Sequence, residues 1–201
     1  MKFTELEMIE VERTEFPENR LTGLQTSDDE QPVDLKPISM EREVQELCRR
    51  LVVSASAAGK TISSCESFTA GLFCAEVAGI PGASKVLKGG LVTYFTEMKE
   101  QLAGVSPDVI ERYGVVSKEC AAAMAANTRE LTGADYCVSF TGNAGPSAME
   151  GKPAGLVYCA LADAEGVDWY CWKMSLERNA LRLKAVSLMC EMLLEKIEQI
   201  A

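Results

Sequence analysis

Histidine is missing from all 201 residues, which removes the commonest general base and the commonest metal ligand at once. A Ser-His-Asp triad cannot be assembled from this chain. Eight cysteines stand at positions 48, 65, 74, 120, 137, 159, 171 and 190 with no CxxC spacing, so neither a zinc site nor a disulfide framework is indicated. Most lie inside apolar patterns such as Tyr136-Cys137-Val138, where a reduced cysteine behaves as a small core residue. No apolar run reaches the ~18 residues of a membrane span and no charged-then-apolar leader opens the chain, so a cytoplasmic protein without a membrane partner is expected. Basic residues are also short: 20 Lys and Arg against 30 Asp and Glu leave a net charge of -10. Phosphate-backbone binding needs clustered cations, so no nucleic-acid partner is expected.

What is present suits one domain of ordinary size preceded by an extension, since 47% hydrophobic residues suffice for a sizeable core. The first 40 residues carry ten acidic and four basic side chains, Pro17, Pro32 and Pro37, and the polar run from Thr26 to Gln31. Such a stretch buries too little apolar surface to offset the entropy of ordering. Residues 1–38 are therefore read as a flexible acidic extension, in which the segment from Phe3 to Val11 can pair or dock locally, and 39–201 as the domain.

From Ser39 onward, Val44, Leu47, Cys48, Leu51, Val52 and Ala55 recur at helical spacing, with Glu41 and Glu43 near the start and Gly59 past the end. A strand over Lys60–Ser64, a helix over Leu72–Ala78 and a strand from Gly89 that ends near Lys99 follow. Two more helices are expected, one opened by Ser106-Pro107 and stopped at Gly114, the other running from Ser117 to about Thr132. Ala134–Thr141 reads as a buried strand leading into Gly142-Asn143-Ala144-Gly145-Pro146. Gly155–Ala162 and Val167–Met174 read as a hairpin, which makes one strand antiparallel. A last helix spans Glu177 to Ile197. Alternating strands and helices imply an α/β domain.

Ser67, in Ser64-Cys65-Glu66-Ser67-Phe68-Thr69-Ala70-Gly71, follows a strand and opens a helix, near backbone N–H groups that no helical carbonyl satisfies. It reads either as a nucleophile or, like Thr69, as a helix cap. As a nucleophile in a histidine-free chain it needs another base, and Lys99 is the candidate. The 142–145 loop reads as a ligand cradle or a surface turn. Arg178 and Arg182 lie four apart at a helix N-terminus, which disfavours cations; they answer an anion from elsewhere or form a solvated face.

Taken in order, these motifs resemble the C-terminal domain of the CinA family, including its stand-alone PncC-like nicotinamide mononucleotide deamidases, over roughly residues 41 to 198. Glu-Ser-Phe-Thr-Ala-Gly at 66–71 is similar to the family's Glu-Ser-Cys-Thr-Gly-Gly, and Gly90 through Lys99 to its Gly-x-Val-x-Tyr-x-x-x-x-Lys element. Gly104-Val105, Gly114-Val115-Val116-Ser117, Thr141 through Pro146 and Lys152-Pro153-Ala154-Gly155 match further signatures.

The resemblance implies a three-layer α/β/α fold with a mixed, mostly parallel sheet of about five strands. It also implies hydrolysis of the nicotinamide amide to nicotinate mononucleotide and ammonia. It assigns the nucleophile to Ser67, its lysine partner to Lys99 and the active-site tyrosine to Tyr94. Thr69 and Gly71 fall in the turn behind the nucleophile, Thr141, Gly142 and Gly145 on the ligand loop, and Arg178 and Arg182 on the arginine pair of the last helix. The expected partners are a small nucleotide substrate and a second copy of the chain in a homodimer, with no cofactor and no metal.

The chain departs from the pattern at Phe68, in place of cysteine, and at Ala70, in place of the first glycine, which sets a Cβ where a left-handed or close-approach backbone is expected. Asn143 replaces an aliphatic residue, and Ser147 through Gly151 replaces a longer, glycine-rich loop. A catalytically silent module that binds a nucleotide or a protein partner is the alternative reading.

Overall fold

The computed structural model describes residues 7–10 and 39–199; the remainder of the acidic extension lies outside the described residues. In chain order the elements are β1 (Glu7–Glu10), α1 (Met40–Ala57), β2 (Ile62–Glu66), α2 (Leu72–Ala78), β3 (Leu87–Val92), α3 (Thr96–Gln101), α4 (Pro107–Tyr113), α5 (Lys118–Thr132), β4 (Tyr136–Gly142), β5 (Leu156–Ala162), β6 (Val167–Lys173) and α6 (Arg178–Glu198). The helix ends carry the expected chemistry. Ser39 and Ser117 accept from the N–H groups of Arg42 and Cys120, Pro107 occupies the first turn of α4, and Gly133 in the left-handed region ends α5.

The strands form one sheet in the order β1-β6-β5-β4-β2-β3. β2 pairs in parallel with both β3 and β4, whereas β4–β5, β5–β6 and β1–β6 are antiparallel pairs. Among the five strands from β2 to β6 only β5 runs against the rest, so the mixed, mostly parallel sheet is present, and β1 adds a sixth strand from within the extension. The β5–β6 turn is closed by Asp163, whose Oδ1 accepts from the N–H groups of Glu165 and Gly166.

Three layers result. α1, α2 and α6 cover one face with the main core, in which Leu47, Leu51, Phe73, Leu181, Met189 and Leu193 meet Ile62, Val138 and Leu161. α5 covers the other face through two smaller clusters, one around Cys65, Val115, Val116, Cys120 and Met124, the other of alanines. The alanines of α5 let its backbone approach β4 and β5 closely. All eight cysteines are free, seven of them buried, and Cys48 of α1 touches Cys190 of α6 at 3.8 Å between sulfurs.

The topology decides where a ligand can sit. The chain leaves β2 to form β3 on one side and returns to form β4 on the other, so the carboxyl end of β2 is a point where strand order reverses, and open α/β sheets bind ligands there. Ser67 is the first residue past that end.

Candidate active site

β2 and β4 are buried along their whole length, and the polar groups at their carboxyl ends are accordingly partnered. Ser67 leaves the sheet with its N–H on the Phe140 carbonyl at 2.9 Å, and the Thr93 N–H donates to the Glu66 carbonyl at 2.8 Å. This pairing carries β3 alongside β2 and delivers α3 over Ser67. Lys99, on α3, is 1% exposed; its Nζ donates to Ser67 Oγ at 3.0 Å and to the Thr93 carbonyl at 2.7 Å. Burial holds the Lys99 amine below the ordinary lysine range, against opposing contributions from Cys120, Cys65 and Glu150.

The turn after Ser67 is held from two directions. Glu66, 1% exposed, accepts from the N–H groups of Phe73 and Cys74 at 3.2 and 3.1 Å, and from Ser64 Oγ at 3.1 Å. The residue before Ser67 thereby satisfies the free N–H groups at the start of the helix that follows it. On the far side, Arg182 donates Nε to the Phe68 carbonyl at 3.1 Å and Nη2 to the Thr69 carbonyl at 2.6 Å. Phe68 is buried in the main core.

Ala70 takes φ of 51° and Gly71 φ of 89°, so the left-handed backbone expected at Ala70 is present. Ala70 N–H bonds the Ser67 carbonyl and Leu72 N–H that of Thr69. The N–H groups of Phe68, Thr69 and Gly71 have no acceptor among the described residues. Thr69 is fully buried and its hydroxyl has no partner there either.

The remaining sequence-derived residues divide between loop and wall. Thr141 is buried with its hydroxyl donated to the Val115 carbonyl at 2.5 Å. Gly142 ends β4 where a Cβ would lie 2.7 Å from a Val157 methyl, so its small size serves the β4–β5 contact. Asn143 folds the loop: its Oδ1 accepts from Gly145 N–H at 2.9 Å, and its Nδ2 donates to the Ser147 and Lys152 carbonyls at 2.9 and 3.2 Å.

Arg178 donates to the Gly145 carbonyl and borders an open cavity of about 530 Å³ lined by residues 144–146, 154–155 and 174–178. Tyr94 presents its carbonyl, not its hydroxyl, to Lys99 at 3.5 Å; the residue is 54% exposed, as its neighbour Phe95 is at 70%. The structure thus brings Ser67 and Lys99 together, and sets Arg178 and Arg182 on backbone carbonyls. It also adds Glu66 and the Thr93 carbonyl, which sequence reasoning did not assign; for Glu66 the signal was a carboxylate shortly before a helix start.

Residues 44–197 match the CinA C-terminal domain family. The chain belongs to that family. A competence-damage inducible protein of a Geobacillus species is 42% identical over 139 residues, which are 69% of this chain and 33% of that protein. One from Listeria monocytogenes is 48% identical over 127 residues, 63% of this chain and 31% of its own. The chain therefore spans about a third of the length of these relatives.

Among solved structures, a competence/damage inducible protein of Agrobacterium tumefaciens superposes with a TM-score of 0.73 at 32% identity, covering 80% of this chain and 97% of that one. A CinA superfamily protein of Klebsiella pneumoniae gives 0.75 at 26% identity, covering 78% and 98%. The fold of this CinA-family domain is thus shared nearly end to end with both structures. No helix among the described residues is long and apolar enough to cross a membrane.

Proposed function

We propose that this CinA-family domain is an amidohydrolase that releases ammonia from nicotinamide mononucleotide, or a close relative, through a Ser67–Lys99 pair. The observation that carries the reading is the 3.0 Å contact between Ser67 Oγ and a Lys99 amine that burial drives toward its neutral form. A neutral amine at that distance is a competent base for a hydroxyl whose chain offers no imidazole.

In the proposed reaction Lys99 takes the Ser67 proton as Oγ attacks the carboxamide carbon. The oxyanion is met by the free N–H groups of Phe68, Thr69 and Gly71, each such donor contributing about 3 kcal/mol in comparable sites. Lys99 returns the proton to the leaving nitrogen, ammonia departs, and water activated by the same amine hydrolyses the acyl-enzyme. Tyr94 stands at the rim with a free hydroxyl, and we assign it to orienting or relaying that proton.

The phosphate is assigned to the cavity at Arg178, whose guanidinium keeps donors beyond the one on Gly145. Arg178 and Arg182 are one helical turn apart, about 6 Å along the axis, so the cavity lies within a mononucleotide's length of the nucleophile turn. Arg182 supports that turn rather than the substrate in this scheme.

The test is ammonia release from nicotinamide mononucleotide by the wild type and by Ser67→Ala. Turnover by the wild type and none by a folded Ser67→Ala protein is the expected result. Equal rates would remove the nucleophile. A folded wild type that binds the nucleotide without releasing ammonia would favour the silent binding module.

A further inference from the structure

Residues 147–151 end in a two-residue hairpin. Met149 and Lys152 exchange N–H to carbonyl hydrogen bonds at 3.1 and 2.9 Å, and the central pair, Glu150 and Gly151, have φ of 53° and 70°. Positive φ at both central residues is the pattern of a type I′ turn, whose first central position favours Asn, Asp or Gly. Glutamate there is held by what its side chain does. Oε1 accepts from Val115 N–H at 3.0 Å and Oε2 from Val116 N–H at 3.2 Å. Lys152 grips the same segment, donating Nζ to the Tyr113 carbonyl at 2.7 Å. Gly114 leaves the space, since a Cβ at that position would overlap the Glu150 carboxylate.

The segment so gripped is the wall behind the base. Val115 and Val116 belong to the apolar cluster with Cys65, Val105 and Cys120. Val105 N–H donates to the Lys99 carbonyl at 3.0 Å, and the titratable groups that influence the Lys99 amine are Cys65 from β2, Cys120 from α5 and Glu150 from the loop, of which Glu150 carries the charge near neutrality while burial pushes both thiols up.

We propose that Glu150 is a positioning residue for the Ser67–Lys99 pair, clamping the 147–151 loop onto Val115 and Val116 and so keeping the wall behind Lys99 dry. This rests on Lys99 acting as the base of the proposed amidohydrolase. Glu150 acts on it in two opposed ways. Its charge favours the ammonium, whereas the water exclusion it maintains favours the neutral amine, and at Lys99 burial as a whole outweighs the charges that oppose it.

Two variants separate these effects. Glu150→Gln keeps the side-chain length and one acceptor oxygen, enough for one of the Val115 and Val116 N–H groups, but loses the charge, so the acid limb of the pH–rate profile moves to lower pH. Glu150→Ala releases the loop and hydrates the wall. Its limb moves to higher pH, and at neutral pH kcat falls about tenfold with KM little changed, as for a base whose pKa has risen by about one unit.

A readout without turnover follows the wall itself. The Cys120 thiol is buried and pushed up to about 12, so it resists maleimide in the wild type. In Glu150→Ala its labelling, followed by peptide mass spectrometry, rises about tenfold or more through local opening while Cys190 in the main core stays unlabelled. A Glu150→Ala protein with unchanged Cys120 labelling and an unmoved acid limb overturns the proposal. Unmasking of Cys120 in a protein whose wild type releases no ammonia supports the clamp and overturns only the assigned reaction.

Discussion

Arg182 reaches across 113 positions of sequence to donate to the Thr69 carbonyl at 2.6 Å, so the last helix holds the turn that carries Ser67. With the second bond to Phe68, the guanidinium satisfies two carbonyls in a fork geometry that lysine cannot reproduce. Arg182→Leu is expected to cost about 2 kcal/mol, because both charge-assisted bonds go and part-buried carbonyls lose their donor. The melting temperature should fall by about 4–8 °C. Arg182→Lys should recover only part of this, and kcat should drop more than KM rises. Thermal melts and initial rates measure both; a Leu variant with wild-type melting would dismiss the strut.

Lys99 is expected to set the pH dependence. Its amine titrates below the ordinary lysine range because it is desolvated, so kcat should rise with pH through that lowered value and then level off. Lys99→Arg should lose turnover by several orders of magnitude, since a guanidinium does not deprotonate near neutrality. Stability carries the same signature. A lysine whose folded pKa is depressed binds its proton more weakly than in the unfolded chain, which destabilises the fold below the folded pKa and ceases to do so as pH approaches the unfolded value. Relative to Lys99→Met, the wild type should therefore gain stability as pH climbs from neutral toward the ordinary lysine range. Denaturant midpoints of the two proteins at several pH values give the comparison, and a constant difference would contradict it.

The long elements were legible because their periodicity is sustained. The apolar stripe from Val44 to Ala55 became α1, the alanine-rich segment became α5, and the hairpin around Asp163–Gly166 joins β5 to β6. α3 was not legible: six residues hold too little periodicity to announce a helix, and the strand expected to end near Lys99 stops at Val92. For the site, Ser67 and Lys99 could be paired through the chemistry of a histidine-free chain and the ordered family motifs. The bonds of Arg178 and Arg182 to carbonyls could not, because a carbonyl partner leaves no trace in side-chain sequence. The grip of Glu150 on the Val115 and Val116 N–H groups was hidden too, since any backbone partner is independent of side-chain identity.

Ala70 has φ of 51°, a region that costs a Cβ-bearing residue about 1–2 kcal/mol and glycine almost nothing. Ala70→Gly should therefore stabilise the fold by about 0.5–1 kcal/mol after the extra unfolded-state entropy of glycine is offset. The melting temperature should rise by about 1–4 °C. A lower melting temperature would show that the methyl group makes contacts worth more than the strain.

Removal of residues 1–38 should leave a single cooperative unfolding transition. The five strands from β2 to β6 keep helices on both faces, and among the described residues it is the outer edge of β6 that loses its neighbour, β1. Calorimetry should show a shift of a few degrees at most. Loss of the cooperative transition would instead make β1 an integral strand, and the domain boundary would move to the start of the chain.

Glu66 sits immediately before Ser67, the proposed nucleophile, and holds the helix that begins at Leu72, so residues 66 to 74 form a ring closed by a single side chain. In such a ring Ser67 has few orientations left to lose when substrate arrives. The entropy of placing it is met once, when the chain folds, and is not charged again at each turnover. The same closure makes the turn inflexible: a substrate must come to Ser67, and the surfaces left to adapt to its shape are those outside the ring, at Tyr94, Phe95 and the 142–146 loop.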